Sequence, residues 1–331
     1  MKVVDMHCDT ISELYERRKK GVREDICSNS LHVDLEKMEK GDYLLQNFAL
    51  FTHLERQKDP LTYAMSLVDL FYQQLEAYPD RIRAVKSWKD IEENRIQGRM
   101  SALLTVEEGG VCRGELSLLR DFYRLGVRMM TLTWNFPNEL GYPNRILSEN
   151  NRPPVCVPDT EHGLTETGIE FVREMERLGM IIDISHLGDK GIWDVFRYTK
   201  KPFVASHSNA RALAGHPRNL TDEMIRALAE RGGVAGINFC AAFLKDKENG
   251  GEAVHSKCSD MVRHIKHMKK IGGIGCIGLG SDFDGILSIL EMGDCSGIGL
   301  LAQEMDRQGF TDGEIEAVFS QNVLRLYREL L

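Results

Sequence analysis

Short apolar runs rich in Val, Ile and Leu recur along the whole chain and are separated by longer amphipathic stretches. A short continuous apolar run between turn signals predicts a buried strand. We predict eight strands, at residues 3–8, 43–51, 101–107, 129–134, 180–185, 202–206, 233–239 and 276–281. Most gaps carry apolar residues at three- and four-residue spacing, as in 61–78, 165–179 and 311–330, which predicts amphipathic helices.

Buried strands that alternate with helices form a parallel sheet with both faces covered. Eight such repeats in 331 residues predict a closed α/β barrel, the (β/α)8 or TIM barrel. An open doubly wound sheet is the alternative, but the first strand is not followed by the GxGxxG sequence typical of its dinucleotide-binding form. Because no linker, repeat or low-complexity run divides the sequence, we predict a single domain over residues 1–331.

One connection is much longer than the others. Residues 136–163, "FPNELGYPNRILSENNRPPVCVPDTEHG", are rich in Pro and Asn and lie between the fourth and fifth predicted strands. Long loops in compact domains are usually functional. We therefore expect this loop to wall a pocket or to contribute to a dimer interface.

The composition narrows the class of protein. A net charge of −8 argues against a nucleic-acid-binding surface, which needs a clustered basic face. No uninterrupted apolar stretch approaches the length of a membrane span, and "MKVVDMHCDT" lacks the apolar core of a signal peptide, so we expect a cytoplasmic protein without membrane contact. The eight cysteines form no CxxC pair and are expected to be reduced thiols, mostly in the core.

Polar residues collect at the carboxyl ends of the predicted strands. The first strand ends at His7 and Asp9, whose two-residue spacing places them on one face, with Cys8 facing the other way. The third, fifth, sixth and eighth strands lead into Glu107 and Glu108, His186, His207, and Asp282 and Asp284. In a parallel barrel all carboxyl ends meet at one face, where such enzymes have their active sites. We therefore expect these side chains to share one pocket.

Histidines and carboxylates in one pocket point to bound cations. Crowded carboxylates resist ionisation, and a cation reverses that cost, while imidazole nitrogen and carboxylate oxygen suit zinc or a related divalent ion. Five ligands are too many for one catalytic zinc with an open position, so the set predicts two ions that share a bridging carboxylate. Glu107 and Glu108 alternate in direction along a strand, so one is expected to point inward, and the pattern leaves open which.

The remaining histidines, His32 and His53 among them, show no ligand pattern. His264 and His267 lie three residues apart on a lysine-rich predicted helix. We expect these two to lie on a solvated face.

At these residues the chain resembles the membrane (renal) dipeptidase family of zinc peptidases, within the amidohydrolase-like barrels. The resemblance covers nearly the whole chain, from "DMHCDT" and "VEEGG" through "GLTETGIEFVREMERLGMIIDISH" to "IGLGSDFDG". It implies two zinc ions per chain, one bound by His7 and Asp9 and the other by His186 and His207. The bridging glutamate of the family precedes Gly-Gly, which implies Glu108 here.

The resemblance also implies substrate contacts. Arg218, in "HPRNL", matches the family arginine that holds the substrate carboxylate, and a guanidinium fork suits that group. Asp282 matches the aspartate that passes a proton to the leaving amine, and Asp284 is expected to support the turn or the substrate amine. Mammalian-type members have a histidine where this chain has Trp134, which offers one N–H donor and no charge. Asn135 is the donor that could replace it.

The resemblance implies a metallodipeptidase in which a hydroxide bridging two zinc ions attacks the peptide bond of an L-Xaa-L-Xaa or L-Xaa-D-Xaa dipeptide. Another divalent ion could occupy the same ligands, and the family implies a homodimer. A related binuclear-metal amidohydrolase, acting on N-acyl amino acids, other small amides or lactones, is the alternative enzyme. A non-catalytic barrel stabilised by metal is a third hypothesis, and the presence of Asp282 argues against it.

Overall fold

The computed structural model describes residues 1–147, 155–246 and 254–331 and confirms the predicted (β/α)8 barrel. Eight parallel strands each pair with the next, and the eighth pairs with the first, so the sheet closes. The barrel strands are β1 (Val3–Asp5), β2 (Tyr43–Phe51), β3 (Met100–Glu107), β4 (Met129–Thr131), β5 (Ile181–Asp183), β6 (Val204–Ala205), β7 (Val234–Ile237) and β8 (Ile277–Leu279). Outside the barrel, Ile82–Val85 pairs with β3, and His255–Ser256 pairs with Ile289–Leu290.

Helices cover the outside of the barrel. The α-helices of the described ranges are Thr10–Lys19, Leu35–Lys40, Pro60–Glu76, Trp88–Ile96, Leu116–Arg124, Glu166–Leu178, Asp189–Tyr198, Asp222–Glu230, Ala241–Leu244, Cys258–Gly272, Gly299–Arg307, Asp312–Glu316 and Asn322–Leu330. A π-helical turn, Ala317–Gln321, joins the last two and packs against β1 and β8. Within these ranges, no helix combines the length and apolar sequence that crossing a membrane requires.

Alternation of side chains along the strands produces two apolar cores. Outward-facing side chains pack against the helices. Inward-facing side chains fill the barrel interior, and they include Val4, Met6, Leu45, Leu103, Met129, Ile181, Val204 and Val234. The helix Asn322–Leu330 closes the amino end, where the Tyr327 hydroxyl and the Asn47 amide exchange two hydrogen bonds of 2.7 and 3.0 Å. The amino end of the barrel is thus plugged.

The long loop predicted at 136–163 contains an antiparallel pair of short strands, Arg145–Leu147 and Val155–Val157. The base of this loop is held near the carboxyl end of the barrel, because the buried Asn144 side chain donates a hydrogen bond of 3.1 Å to the Pro217 carbonyl. Pro217 directly precedes the predicted substrate arginine. The part of the loop at 148–154 lies outside the described residues, and its role as a pocket wall or dimer contact stays a prediction.

Several barrel strands end earlier than predicted. β1 ends at Asp5, β5 at Asp183 and β8 at Leu279, two or three residues before the predicted ends. Positive φ angles at His186 (69°) and Asp282 (63°) take the backbone out of the strand conformation. The deviations fall at candidate site residues, so the departure from strand geometry helps to aim those side chains.

Candidate metal centre

Six side chains from five strand ends converge at the carboxyl end of the barrel. This group, called here the mouth cluster, comprises His7, Asp9, Glu107, His186, His207 and Asp282. Three triads within it have their ligand atoms within 4.8 Å of one another, and two of these contain Glu107, one with His186 and His207 and one with His7 and Asp9. Except for the half-buried Asp282, all of these residues are buried. The two triads share one carboxylate, which is the arrangement that two bridged cations need.

Glu107 lies at the centre of the mouth cluster. Its Oε1 is 3.0 Å from His186 Nε2 and 3.7 Å from His207 Nε2, while its Oε2 is 3.2 Å from His7 Nε2. One carboxylate oxygen therefore faces each triad. Glu107 is the last residue of β3 and shares the inward face with Leu103, because side chains two apart on a strand point the same way.

The structure does not bring Glu108 into the mouth cluster, contrary to the assignment implied by the resemblance. Its carboxylate accepts hydrogen bonds from the backbone N–H groups of Gly110 (2.8 Å) and Trp134 (3.0 Å) and from Asn138 Nδ2 (2.5 Å). Glu108 has left the strand, with a φ of 100°. The geometry thus corrects the assignment in favour of Glu107, the glutamate that strand alternation places inward.

Hydrogen bonds of the imidazoles fix where their lone pairs point. His186 Nδ1 lies 2.9 Å from Asn135 Oδ1, an acceptor, so Nδ1 carries the proton. His207 Nδ1 lies 2.7 Å from Ser206 Oγ, which donates its own proton to Asp183 at 2.5 Å, so this Nδ1 is also protonated. Both Nε2 atoms therefore carry lone pairs, and they face each other at 3.0 Å. A divalent cation is the group that makes such a contact favourable.

The pKa shifts within the cluster also favour a bound cation. Burial, assisted by the charge of Arg218, lowers the pKa of His186 to about 4, and burial holds the pKa of His207 well below its usual value. Both imidazoles are therefore neutral ligands at neutral pH. Burial, with repulsion from Glu107, raises the pKa of Asp9 to about 8. This carboxylate resists ionisation unless a cation compensates it.

The second triad contains buried polar atoms without a hydrogen bond to any described residue. They are His7 Nε2 and Asp9 Oδ1. An unsatisfied buried polar atom costs about 1–3 kcal/mol, and metal coordination would recover that cost. Together the two triads offer imidazole nitrogen and carboxylate oxygen, the donor set of zinc and related divalent ions. The residues present therefore fit two divalent cations.

A buried aspartate on β1, not among the candidates predicted from the sequence, supports the second triad. Asp5 accepts hydrogen bonds from the His7 N–H (3.2 Å), the Ser281 N–H (2.9 Å) and the Ser281 hydroxyl (2.6 Å). It therefore ties the end of β1 to the end of β8. The signal in the sequence is a charged residue that ends the apolar run "VVD", since a buried charge needs partners.

A second buried aspartate does the same for β5. Asp183, at the end of "IID", accepts from the Ser185 N–H (3.0 Å), the Ser206 N–H (2.8 Å), the Thr131 hydroxyl (2.7 Å) and the Ser206 hydroxyl. These bonds join β5 to β4 and to the residue after β6. The positions of His186 and His207 thus depend on one buried carboxylate.

Asp282 lies at the edge of the mouth cluster. Its Oδ2 accepts a hydrogen bond of 2.9 Å from Asn238 Nδ2, and its Oδ1 is 3.9 Å from His7 Nε2. One oxygen is fixed and the other faces the cluster. Gly285 closes over this group, because a Cβ there would lie 2.6 Å from Asp282 Oδ1 and 2.1 Å from Asp9 Oδ2. A larger residue would displace both carboxylates.

Arg218, the substrate contact implied by the resemblance, lies beside the cluster. Its guanidinium is buried, with Nη2 3.4 Å from the His207 carbonyl and Nη1 3.5 Å from Ser208 Oγ. Its Nε is buried and has no hydrogen-bond partner among the described residues. The Phe243 ring packs 5.5 Å from the guanidinium carbon. A buried guanidinium with an unpaired N–H suits a carboxylate ligand.

Trp134 and Asn135 both lie next to His186. The Trp134 ring is 6.2 Å from the His186 ring, and its backbone N–H donates to Glu108. The Asn135 side-chain oxygen accepts from His186 Nδ1. Asn135 therefore orients a candidate ligand, a role that sequence reasoning did not foresee.

Two residues outside the cluster, Asp284 and His264, also bear on the sequence predictions. Asp284 supports the turn after β8, because its carboxylate accepts from the Thr10 hydroxyl (2.6 Å) and the His32 N–H (2.7 Å). The prediction that His264 lies on a solvated face is wrong. His264 is fully buried, its Nδ1 accepts from the Ala210 N–H at 3.1 Å, and its Nε2 contacts the Leu244 carbonyl at 2.9 Å.

Comparisons with known proteins match nearly the whole chain. A family model described as membrane dipeptidase, peptidase family M19, matches residues 1–330. A relative from Schizosaccharomyces pombe, described as an uncharacterized dipeptidase, is 32% identical over 345 residues, which cover 99% of this chain and 80% of the relative.

Two solved structures superimpose on nearly the whole chain. The dipeptidase AC, a metallopeptidase of family M19, has a TM-score of 0.88 and 26% identity, and the match covers 100% of this chain and 98% of that one. A metallopeptidase from Rhodobacter sphaeroides, crystallised with a phosphinate mimic of the dipeptide L-Ala-D-Ala, has a TM-score of 0.88 and 25% identity, with coverage of 100% and 99%.

Proposed function

We propose, from the premise that the chain belongs to the membrane dipeptidase family, peptidase family M19, and is a metallodipeptidase, a specific role for the mouth cluster. The cluster would bind two divalent ions and use them to hydrolyse the peptide bond of small dipeptides. The observation that supports this proposal most directly is the pair of triads that share Glu107 beside the unpaired guanidinium N–H of Arg218. The triads suit the activation of water and carbonyl, and the guanidinium suits the free carboxylate of a short peptide.

We propose that each triad holds one ion. Glu107, His186 and His207 would bind the first, and His7, Asp9 and Glu107 the second. Zinc is the proposed metal, and the same nitrogen and oxygen ligands also accept other divalent ions such as manganese. When bound, two such ions supply a water activated for attack at neutral pH and a polarised carbonyl oxygen.

The chain's own residues would position the dipeptide and move its proton. Arg218 anchors the C-terminal carboxylate and so selects short substrates. Asp282 keeps one oxygen on Asn238 and turns the other toward the cluster, which places it to accept the proton of the attacking water and pass it to the leaving amine. Burial raises the pKa of Asp282, which favours its acting as a proton carrier.

The proposed substrates are L-Xaa-L-Xaa and L-Xaa-D-Xaa dipeptides. Support for the D-residue comes from the Rhodobacter sphaeroides relative, which was crystallised with a mimic of L-Ala-D-Ala. A homodimer is the assembly suggested by the resemblance, and it stays a prediction that sedimentation of the purified protein would test.

Metal content and hydrolysis, measured on one preparation, test the proposal. We expect about two metal ions per chain and cleavage of L-Ala-L-Ala or L-Ala-D-Ala, with the C-terminal amides of these dipeptides cleaved much more slowly. Arg218→Ala should raise KM for the free dipeptides by about 100-fold, as expected for a lost charged hydrogen bond, and should reduce the preference for acid over amide.

Two outcomes would count against the proposal. Metal-loaded protein that cleaved no dipeptide of a broad panel would favour the amidohydrolase alternative. Unchanged kinetics in Arg218→Ala would mean that the substrate carries no carboxylate at this position.

A further inference from the structure

Four aromatic side chains form a continuous surface on one side of the barrel mouth. This surface, called here the aromatic wall, comprises Phe51, His53, Trp134 and Phe136. Neighbouring ring centroids lie 4.9 to 5.7 Å apart, within the usual range for packed aromatic pairs. All four residues are half-buried, so part of each remains accessible. Burial lowers the pKa of His53, so its ring is neutral at neutral pH and the wall carries no charge of its own.

The aromatic wall and Arg218 lie on different sides of the mouth cluster. Phe51 ends β2 and Trp134 follows β4, whereas the Arg218 guanidinium contacts the His207 carbonyl and Ser208, which follow β6. In a closed eight-stranded barrel, β2 is diametrically opposite β6, and β4 is two strands away from β6. The wall therefore covers the β2–β4 side of the mouth, and Trp134 is the wall residue whose ring lies 6.2 Å from that of His186.

A buried carboxylate holds the wall in place. Glu108 accepts hydrogen bonds from the Trp134 N–H and from Asn138, which lies beyond Phe136 in the same loop. Its third bond, from Gly110, fixes the turn that follows β3. Because the bond to Trp134 uses the backbone N–H, a change of the Trp134 side chain keeps this attachment. The wall is therefore a fixed surface, which is what a selective pocket requires.

The geometry points to a pocket for the substrate's first side chain. We propose, on the basis of the function proposed above, that the aromatic wall binds the side chain of the N-terminal residue of the dipeptide and selects apolar, above all aromatic, residues there. An extended chain advances by about 3.5 Å per residue. A dipeptide with its carboxylate on Arg218 and its carbonyl at the cluster therefore projects its first residue away from Arg218, toward the β2–β4 side of the mouth where the wall lies.

The test compares dipeptides that differ only in their first residue. With L-Xaa-L-Ala and L-Xaa-D-Ala series in which Xaa is Gly, Leu, Phe, Asp or Lys, we expect kcat/KM for Phe and Leu to exceed that for Gly and Asp by at least about tenfold, as apolar pockets do. Trp134→Ala should lower the Phe-to-Gly ratio by about tenfold, and Phe136→Ala by a smaller factor. Phe136→Ala also keeps the test open if Trp134→Ala does not fold.

A matched control is available on the outside of the barrel. Trp193, on the helix Asp189–Tyr198, is 41% exposed and packs against Phe196 away from the mouth cluster. Trp193→Ala should leave the Phe-to-Gly ratio unchanged. Phosphinate dipeptide mimics with a benzyl group or hydrogen in the first position provide a binding readout without turnover, and their Kd ratio should fall in Trp134→Ala and stay constant in Trp193→Ala.

The outcomes separate this inference from the proposed function. Dipeptide cleavage with no preference for the first residue, or with a preference for Lys or Asp, would overturn the aromatic pocket and leave the dipeptidase proposal intact. A preference for Phe that survived both wall variants would also overturn it. Failure to cleave any dipeptide would overturn the proposed function itself, and the pocket with it.

Discussion

The two halves of the mouth cluster share one supporting arrangement. In the half at β1 and β8, Asp5 accepts from the His7 N–H and from both the N–H and the hydroxyl of Ser281. In the half at β5 and β6, Asp183 accepts in the same way from the N–H and the hydroxyl of Ser206. Each buried aspartate joins the end of its strand to a neighbouring one. The two halves of the fold thus place their candidate ligands by the same physical means.

The halves differ in how their ligand atoms are oriented. His186 and His207 each donate Nδ1–H to a neighbouring side chain, so their Nε2 lone pairs are aimed before any ion arrives. His7 Nε2 and Asp9 Oδ1, by contrast, have no hydrogen-bond partner in the described part of the chain. The β5–β6 half is therefore preorganised for a cation. In the β1–β8 half, His7 Nε2 lies instead against the carboxylates of Glu107 (3.2 Å) and Asp9 (3.5 Å), with which it would share the cation.

Glu107→Gln removes the carboxylate that the two halves share and should have the largest effect. Without the Glu107 carboxylate both triads lose a ligand. Removing one partner of a buried charged contact costs about 3–5 kcal/mol. We expect loss of both metal ions on dialysis and a fall in dipeptide hydrolysis of at least about a thousandfold. Elemental analysis and hydrolysis assays on the same preparation measure these effects.

Glu108→Gln is the matched control for this change. It should retain both metals, because its carboxylate bonds to Gly110, Trp134 and Asn138 instead. It should lose about 1–3 kcal/mol in free energy of unfolding through weakened buried hydrogen bonds. The reverse pattern, with metal lost from the Glu108 variant and kept in the Glu107 variant, would restore the bridging role to Glu108.

The confusion of these two glutamates shows how far sequence reasoning extends. Apolar runs predicted the eight strands, and the convergence of strand ends in a parallel barrel predicted which histidines meet. Side-chain alternation did not decide which of Glu107 and Glu108 points into the barrel. The resemblance then selected Glu108, the glutamate that directly precedes Gly-Gly, because the positive φ that turns this residue away is not visible in the sequence. Asp5 and Asp183 were missed because they end buried strands beside residues from other strands, and only the fold brings their partners to them.

Asp5 and Asp183, the buried aspartates that support the two halves of the mouth cluster, provide the next test. Asp183 accepts from four donor groups and Asp5 from three, all from residues that are themselves buried. Substitution by Asn turns one acceptor into a donor that faces another donor. Asp183→Asn should therefore lower the free energy of unfolding by about 3 kcal/mol and Asp5→Asn by about 2 kcal/mol. Urea unfolding measures both.

The metal content of the two Asn variants shows which half of the cluster each aspartate supports. Each Asn variant should lose first the ion of its own half, so that about one ion per chain remains after dialysis. If both variants kept two ions and unfolded like the parent protein, the aspartates would not be the supports of the two halves.

Ser206→Ala should separate metal affinity from stability. The Ser206 hydroxyl fixes the proton on His207 Nδ1 and also bonds to Asp183. Loss of a group that orients a metal ligand typically weakens affinity by about 10- to 100-fold. Ser281→Ala is the matched change in the other half, because its hydroxyl bonds to Asp5 and to the His7 carbonyl and orients no imidazole. Competition with a chelator should show the weaker affinity in Ser206→Ala, and equal affinities would remove the distinction between the halves.

The smallest expected effect concerns the support of the β5–β6 half from outside the barrel. Ala210, three residues after His207, donates its N–H to His264, and burial lowers the pKa of that histidine from 6.5 to about 4. Between these pH values the unfolded chain binds a proton that the folded chain does not, so the free energy of unfolding falls as the pH falls. From pH 6.5 to 5 this amounts to about 1.6 kcal/mol. His264→Gln lacks the titration, so urea unfolding at both pH values should show the parent protein losing this much more stability than the variant. A parallel loss in both proteins would mean that His264 titrates alike in the folded and unfolded chains, and the hydrogen bond to Ala210 would then not depend on a neutral imidazole.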